Sequence, residues 1–220
     1  MIIGIERDNF FMLNWLDEYL TGHKGFICGG CFKNIFNGEK VKDLDIFFKN
    51  ENDWQSAVFY FDKKSVGFND GNGALTEDEA EYRFYYENSK VKAYKQLRTG
   101  ITVELCKSIF GSPKEIISSF DFTITKFAYY KEAVKDDDSN ETHIESKLIC
   151  DNKFFEHLHL KRLVIDDKIP FPMSTFERVL RYAKYGYFPC KETKIKLAKA
   201  INELPEKAIT VSESLYNGVD

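Results

Sequence analysis

The chain has 220 residues, of which 43% are hydrophobic and 30% are charged, and its formal net charge is −4. This composition predicts a globular protein with a buried core and excludes a collagen or a long repeat array. No apolar run is long enough for a transmembrane helix, and charged residues 6–8 interrupt the N-terminus where a secretory signal would be apolar. We therefore expect a cytoplasmic protein with no membrane partner, whose five cysteines are reduced thiols.

The first half of the sequence predicts a helix followed by alternating strands and helices. Apolar residues at helical spacing predict an amphipathic helix over residues 8–21. A short apolar strand at 25–28 then enters a turn at Gly29 and Gly30, followed by a short helix over 31–36 and a strand over 43–48. Beyond a helix over 52–62, the pattern predicts a hairpin of residues 82–86 and 91–97.

The middle of the chain continues with strands around one short helix. Residues 101–106 alternate as a half-buried strand, with Glu104 on its polar face. Ser112, Pro113 and Glu115 form a capping-box signature that predicts a helix over 113–119. Alternation over 121–125 predicts another strand.

A change of pattern near residue 135 predicts a domain boundary. Residues 135–141 are the most hydrophilic stretch, and apolar stripes at helical spacing follow it. We predict a mixed α/β head over residues 1–134, an acidic linker or loop over 135–147 and a small helical domain over 148–220. Residues 1–145 are acidic as a group and residues 146–220 mildly basic, so the chain lacks the overall basic surface of a dedicated nucleic-acid binder.

Two carboxylates on one predicted strand suggest a metal site. Asp43 and Asp45 are two residues apart, so a strand places both side chains on the same face. A divalent cation such as Mg²⁺ or Mn²⁺ would neutralise them and would leave positions open for phosphate oxygens. A polar strand edge is the alternative interpretation of these two residues alone. Gly29 and Gly30, one short helix upstream, could let backbone N–H groups approach a triphosphate.

The segment that joins the glycines to the carboxylates resembles a known family signature. Residues 29–48 read GGCFKNIFNGEKVKDLDIFF, which resembles the signature of the nucleotidyltransferase superfamily and is most similar to the head of poly(A) polymerases and bacterial-type CCA-adding enzymes. Lys33 takes the place of the family's arginine, and Asn34 that of its aspartate. The resemblance implies an α+β fold, with a mixed sheet flanked by helices and a small helical domain after it.

Two further segments resemble motifs of the same family, in the same order. Residues 119–130, SFDFTITKFAYY, look like the motif that handles the ribose and phosphates of the nucleotide. Asp121 matches there, whereas Ser119 and Phe120 stand in place of an arginine pair. Residues 177–188, ERVLRYAKYGYF, resemble a helix after the head, in which Arg178 and Arg181 match.

The resemblance implies transfer of a nucleoside monophosphate from a nucleoside triphosphate to an acceptor hydroxyl, with release of pyrophosphate. Asp43 and Asp45 would bind the metal, with Glu104 or Asp121 as a third carboxylate. The nucleotide would be bound by Gly29, Gly30, Lys33, Asp121, Arg178 and Arg181. The acceptor could be an RNA 3′ end, a protein or a small molecule.

Two alternatives stay open from the sequence. The first is a catalytically silent head that binds a nucleotide or a protein partner as a regulator, because the arginine pair is replaced. The second concerns Cys28 and Cys31, whose Cys-x-x-Cys spacing occurs in redox and zinc sites. No second cysteine pair has ligand spacing, so we expect two buried thiols there.

Overall fold

The computed structural model describes residues 1–71, 73–135 and 142–205, and they form two compact units. Within these ranges, the first unit comprises Met1–Phe120 and Thr125–Asn152, and the second comprises Asp121–Ile124 and residues 153–205. Part of the predicted linker, residues 136–141, lies outside the described residues. Residues 142–147, which also belong to the predicted linker, begin a strand instead. The first unit therefore reaches Asn152, well beyond the predicted head boundary at residue 134.

The first unit is built on one eight-stranded mixed sheet. In chain order its strands are β1 (Ile2–Ile5), β2 (Phe26–Cys28), β3 (Asp43–Phe48), β4 (Tyr82–Glu87), β5 (Val91–Gln96), β6 (Thr102–Phe110), β7 (Phe127–Lys135) and β8 (Thr142–Asp151). Their order across the sheet is β1-β8-β7-β2-β3-β6-β5-β4. Strands β3 and β6 are parallel, and the other neighbours are antiparallel. The predicted α+β fold with a mixed sheet is confirmed.

Three α-helices flank this sheet: α1 (Cys31–Phe36), α2 (Glu51–Lys63) and α3 (Pro113–Ser118). The capping box predicted for α3 is present, because Ser112 accepts a hydrogen bond from the Glu115 N–H and Glu115 accepts one from the Ser112 N–H. Helix α2 is anchored to the sheet by Trp54, whose indole N–H donates to the Leu105 carbonyl at 3.1 Å. Helix α3 packs instead on the face that carries Cys28 and Phe47.

The predicted helix over residues 8–21 is wrong in type. Residues Arg7–Leu20 form a run of 3₁₀ turns with a kink at Phe10. The fully buried side chains Leu13, Leu16 and Tyr19 recur every three residues, which is the period of a 3₁₀-helix. Phe11, an apolar residue within the predicted helix, is 73% exposed.

The predicted strand over residues 121–125 is also wrong. Thr123–Thr125 form a single 3₁₀ turn, and the next strand, β7, begins only at Phe127. Asp121–Ile124 leave the sheet and belong to the second unit, where Phe122 makes one antiparallel bridge with Ile165. The alternation of polar and apolar residues here reflects a turn with two buried side chains, Phe122 and Ile124.

The second unit is small and mainly helical. Its helices are α4 (Phe154–His159), α5 (Pro172–Lys184) and α6 (Lys191–Asn202), and two short parallel strands, β9 (Arg162–Leu163) and β10 (Phe188–Pro189), lie between them. No helix in the described parts of either unit is long and apolar enough to cross a membrane.

Candidate active site

Strand β3 presents Asp43 and Asp45 on one face of the sheet. Leu44 and Ile46, which alternate with them, are fully buried on the opposite face. The burial of these two apolar residues fixes the register of the strand, because a slip by one residue would move both carboxylates to the apolar face that Leu44 and Ile46 occupy. The sequence therefore determines the side on which the carboxylates lie.

Glu104 on β6 lies directly beside Asp45. The two residues are paired in the register of the parallel strands, and Asp43 is paired with Thr102. Burial, the charge of Glu104, a hydrogen bond to Glu104 and the charge of Asp43 raise the pKa of Asp45 well above its ordinary value. Carboxyl groups this close are favoured only when a proton or a cation lies between them.

The donor set of this cluster fits a divalent cation that prefers oxygen ligands. In residues 1–71, 73–135 and 142–205, no three His, Cys, Asp or Glu side chains form a ready-made metal cage. Mg²⁺ does not need such a cage, because proteins commonly hold it through one or two carboxylates, with water and substrate phosphates completing its shell. Asp43 and Asp45 supply two such carboxylates, and Glu104 adds a third beside them.

The glycine turn of β2 adjoins the Asp45 carboxylate. Gly29 has a φ of +97°, and a Cβ atom there would lie 3.4 Å from Asp45 Oδ2 and 3.7 Å from the Phe120 ring. A side chain at this position would therefore fill the space beside Asp45. The Gly29 N–H donates to the Phe127 carbonyl at 3.1 Å, so this group stabilises the sheet. Gly30 has an ordinary helical conformation and begins α1.

Lys33 on α1 is buried, and its ammonium group is hydrogen-bonded to two nearby side chains. Its Nζ donates to the side-chain oxygen of Asn34 and, at 3.0 Å, to Glu39. A phosphate bound by Lys33 would have to compete with Glu39 for this charge. Its assignment as a nucleotide-binding residue stays a prediction.

In the second unit, Asp121 and Arg178 form an ion pair with each other. Arg178 Nη1 lies 3.0 Å from Asp121 Oδ2, and its Nη2 donates to Ser174 at 3.1 Å. Arg181 follows on the same helix and is exposed. Of the two candidates for a third carboxylate, Glu104 is the one that the sheet pairs with Asp45, whereas Asp121 is paired with an arginine.

Two features of the site were absent from the sequence-based prediction. Tyr86 on β4 donates its hydroxyl proton to Glu104 Oε1 at 2.6 Å. Cys106 is buried near Asp45, as are Cys28 and Cys31, and burial is the main reason why the pKa values of all three thiols are raised. The expected buried thiols at Cys28 and Cys31 are confirmed, and both cysteines are free.

A comparison with protein families identifies the chain. Residues 6–161, more than half of the sequence, match the model of the Gabija anti-defense 2 family. The chain belongs to this family. A curated relative from Bacillus phage SPbetaL7, named "Gabija anti-defense 2", is 21% identical over 190 residues, which cover 86% of this chain and 40% of the relative. The chain thus spans less than half the length of that relative.

Solved structures confirm the nucleotidyltransferase fold predicted for this member of the Gabija anti-defense 2 family. A CCA-adding enzyme in complex with CTP superposes with a TM-score of 0.57 at 14% identity, over 96% of this chain and 49% of the enzyme. A tRNA-processing enzyme in an apo form gives a TM-score of 0.52 at 17% identity, over 98% of this chain and 54% of that one. A tRNA nucleotidyltransferase with a primer tRNA and an ATP analog gives a TM-score of 0.50 at 18% identity, over 93% of this chain and 55% of that enzyme.

Proposed function

We propose that this chain is a metal-dependent nucleotidyltransferase that moves a nucleoside monophosphate from a nucleoside triphosphate to an acceptor hydroxyl. The observation that supports the proposal is the paired placement of Asp43, Asp45 and Glu104 on adjacent strands of a nucleotidyltransferase-like sheet. Carboxyl groups in this arrangement need a proton or a cation between them, and the opening at Gly29 leaves space beside them for a cation and its ligands.

In this proposal each residue of the cluster has a defined task. Asp43 and Asp45 would hold Mg²⁺ or Mn²⁺, with Glu104 as the third carboxylate of the cluster beside Asp45. When bound, the cation lowers the energy of charge that develops on the phosphate oxygens and on the attacking hydroxyl. The acceptor oxygen bonds to the α-phosphorus, the bond to the β-phosphate breaks, pyrophosphate leaves, and the acceptor proton is released. Gly29 leaves room for the triphosphate.

The family and its phage relative support a role in which the acceptor belongs to a bacterial defence system. The name of the relative, "Gabija anti-defense 2", favours a protein of that system as acceptor or partner. The solved structures with a primer tRNA or with CTP keep an RNA 3′ end as the other candidate acceptor. The reaction consumes nucleoside triphosphates, so we place it in the cytoplasm.

A second candidate function is a catalytically silent head that binds a nucleotide or a protein as a regulator. Phe120, which stands where the resembled family has an arginine, packs its ring 5.6 Å from the ring of Phe47. Lys33 is paired with Glu39. Both observations remove a free positive charge from the expected path of the triphosphate.

Label transfer separates the two functions. The protein is incubated with each α-labelled nucleoside triphosphate and Mg²⁺, with total RNA or bacterial lysate as acceptor. The double variant Asp43→Asn/Asp45→Asn removes the metal ligands, and Asp78→Asn, at an exposed aspartate outside the strands, is the matched control. We expect transfer with the native protein and Asp78→Asn only. Mg²⁺-dependent stabilisation by a nucleotide without transfer would favour the silent head that binds a nucleotide. The absence of both transfer and stabilisation would contradict the transferase and leave only a head that binds a protein partner.

A further inference from the structure

Four residues form one straight row across four neighbouring strands. Tyr86 on β4 is paired with Ala93 on β5, Ala93 with Glu104 on β6, and Glu104 with Asp45 on β3. Directly paired residues of neighbouring strands project from the same face of a sheet. Tyr86 therefore emerges on the face of the carboxylate cluster, although its strand is the edge of the sheet.

A bulge in β4 is what turns Tyr86 to this face. Phe84 is paired with Tyr94, but Tyr86 is paired with Ala93, so β4 advances by two residues while β5 advances by one. In a regular pairing, Tyr85 would stand opposite Ala93 and Tyr86 would project from the other face. A bulge that re-aims a side chain is a common device beside active sites.

The small side chain of Ala93 opens the path from Tyr86 to Glu104. Neighbouring strands are about 4.8 Å apart, so β4 and β6 are separated by about 10 Å. The tyrosine hydroxyl nevertheless reaches Glu104 Oε1 at 2.6 Å. Ala93 is completely buried below this bridge, and a larger side chain there would occupy the space of the tyrosine ring. The bulge, the alanine and the hydrogen bond together define one arrangement of Glu104.

We propose that Tyr86 is a positioning residue that orients Glu104 within the carboxylate cluster and thereby strengthens binding of the divalent cation. This inference rests on the proposed function. The tyrosine hydroxyl occupies one oxygen of Glu104 and restricts rotation of its carboxylate, which lies beside Asp45 in the register of the strands. Partners of this kind, one bond away from a metal ligand, change metal affinity about 10- to 100-fold when they are removed.

Titration with Mn²⁺ alone, followed by electron paramagnetic resonance of the free ion, tests this role without any turnover. The variants are Tyr86→Phe, which removes the hydroxyl only, and Ala93→Val, which obstructs the path. Tyr85→Phe is the matched control, because Tyr85 is the neighbouring residue and is 56% exposed. Asp43→Asn identifies the Mn²⁺ that binds at the cluster. Thermal unfolding of each variant reports its stability.

We expect Tyr86→Phe and Ala93→Val to weaken the Asp43-dependent binding of Mn²⁺ at least about 10-fold, and Tyr85→Phe to leave it unchanged. Equal affinity in Tyr86→Phe and the native protein would overturn the inference, as would a loss of stability with unchanged affinity. Native protein without any Asp43-dependent Mn²⁺ would overturn it too. Weakened Mn²⁺ binding in a protein that transfers no nucleotide would support the role of Tyr86 and contradict only the proposed activity.

Discussion

The ring of His23, between the 3₁₀ run and β2, provides a test of the packing on the face opposite the carboxylates. It is surrounded by aromatic rings, with centroids 5.5 Å away for Phe61 and 6.0 Å away for Phe48 and Tyr60. These rings shield much of the imidazole from water. A charged imidazolium is therefore disfavoured in the folded protein.

Hydrogen bonds fix His23 in its neutral form. Its Nδ1 accepts from the Gly25 N–H at 3.0 Å, so Nε2 carries the proton and donates to the Tyr19 carbonyl at 2.9 Å. Burial, aided by the charge of Lys131 and opposed by the bond to Tyr19, lowers the pKa of His23 from 6.5 to about 4. The unfolded chain therefore binds a proton below pH 6.5 that the folded protein does not bind until about pH 4.

This difference predicts a loss of stability in acid. Between pH 7.5 and pH 4.5, His23 alone should reduce the free energy of unfolding by about 2.5 kcal/mol, because just under two pH units of this range count fully between the two pKa values, at about 1.36 kcal/mol for each unit. The perturbation is His23→Gln, since the glutamine amide can donate and accept hydrogen bonds but does not titrate. Urea unfolding at pH 7.5, 6.0 and 4.5 measures the free energy of unfolding for both proteins.

We expect the difference in free energy of unfolding between the native protein and His23→Gln to change with pH. The native protein should lose about 2.5 kcal/mol more than His23→Gln over this pH range. His159→Gln, at an exposed histidine, is the control and should follow the native profile. Parallel profiles for the native protein and His23→Gln would refute the reasoning, because they would show that His23 is protonated equally in the folded and unfolded states.

Two further predictions concern the glycine turn and the cap of α3. Gly29→Ala should cost about 1–2 kcal/mol of stability for its positive φ, and should also abolish nucleotide-dependent stabilisation, because the methyl group would lie 3.4 Å from Asp45 Oδ2. Gly38→Ala is the control, because Gly38 has a φ of +67° and no atom lies within 4 Å of the new Cβ. It should lose similar stability but keep nucleotide binding. Equal nucleotide binding by the two variants would contradict the role of Gly29. Ser112→Ala should cost about 1 kcal/mol in urea unfolding and leave label transfer intact; no loss would show that the capping box does not stabilise α3.

The parts of the fold that local sequence determines were predictable. The bounds of α1 and β3 agree with the predicted 31–36 and 43–48, because turn glycines and apolar runs delimit both elements. The capping box at Ser112 gave α3 in the same way. Asp43 and Asp45 followed from the two-residue period of a strand.

The parts that depend on distant partners were not predictable. Strand β8 is half exposed and acquires its structure from its pairing with β7, so its own residues carry little apolar alternation. Polar and apolar residues alternate over 121–125 as they do in a strand. The segment forms a turn instead, and Asp121 makes an ion pair with Arg178, which lies far along the chain. Tyr86 was missed because a bulge changes the face of a strand without a signal in the sequence.

The measurement that tests the central claim most directly is the anomalous scattering of Mn²⁺ in crystals grown with a non-hydrolysable nucleoside triphosphate. We expect an anomalous peak ligated by the carboxylates of Asp43 and Asp45, with the phosphates of the nucleotide beside the Gly29 turn. Manganese bound elsewhere, with none at these two carboxylates, would contradict the account.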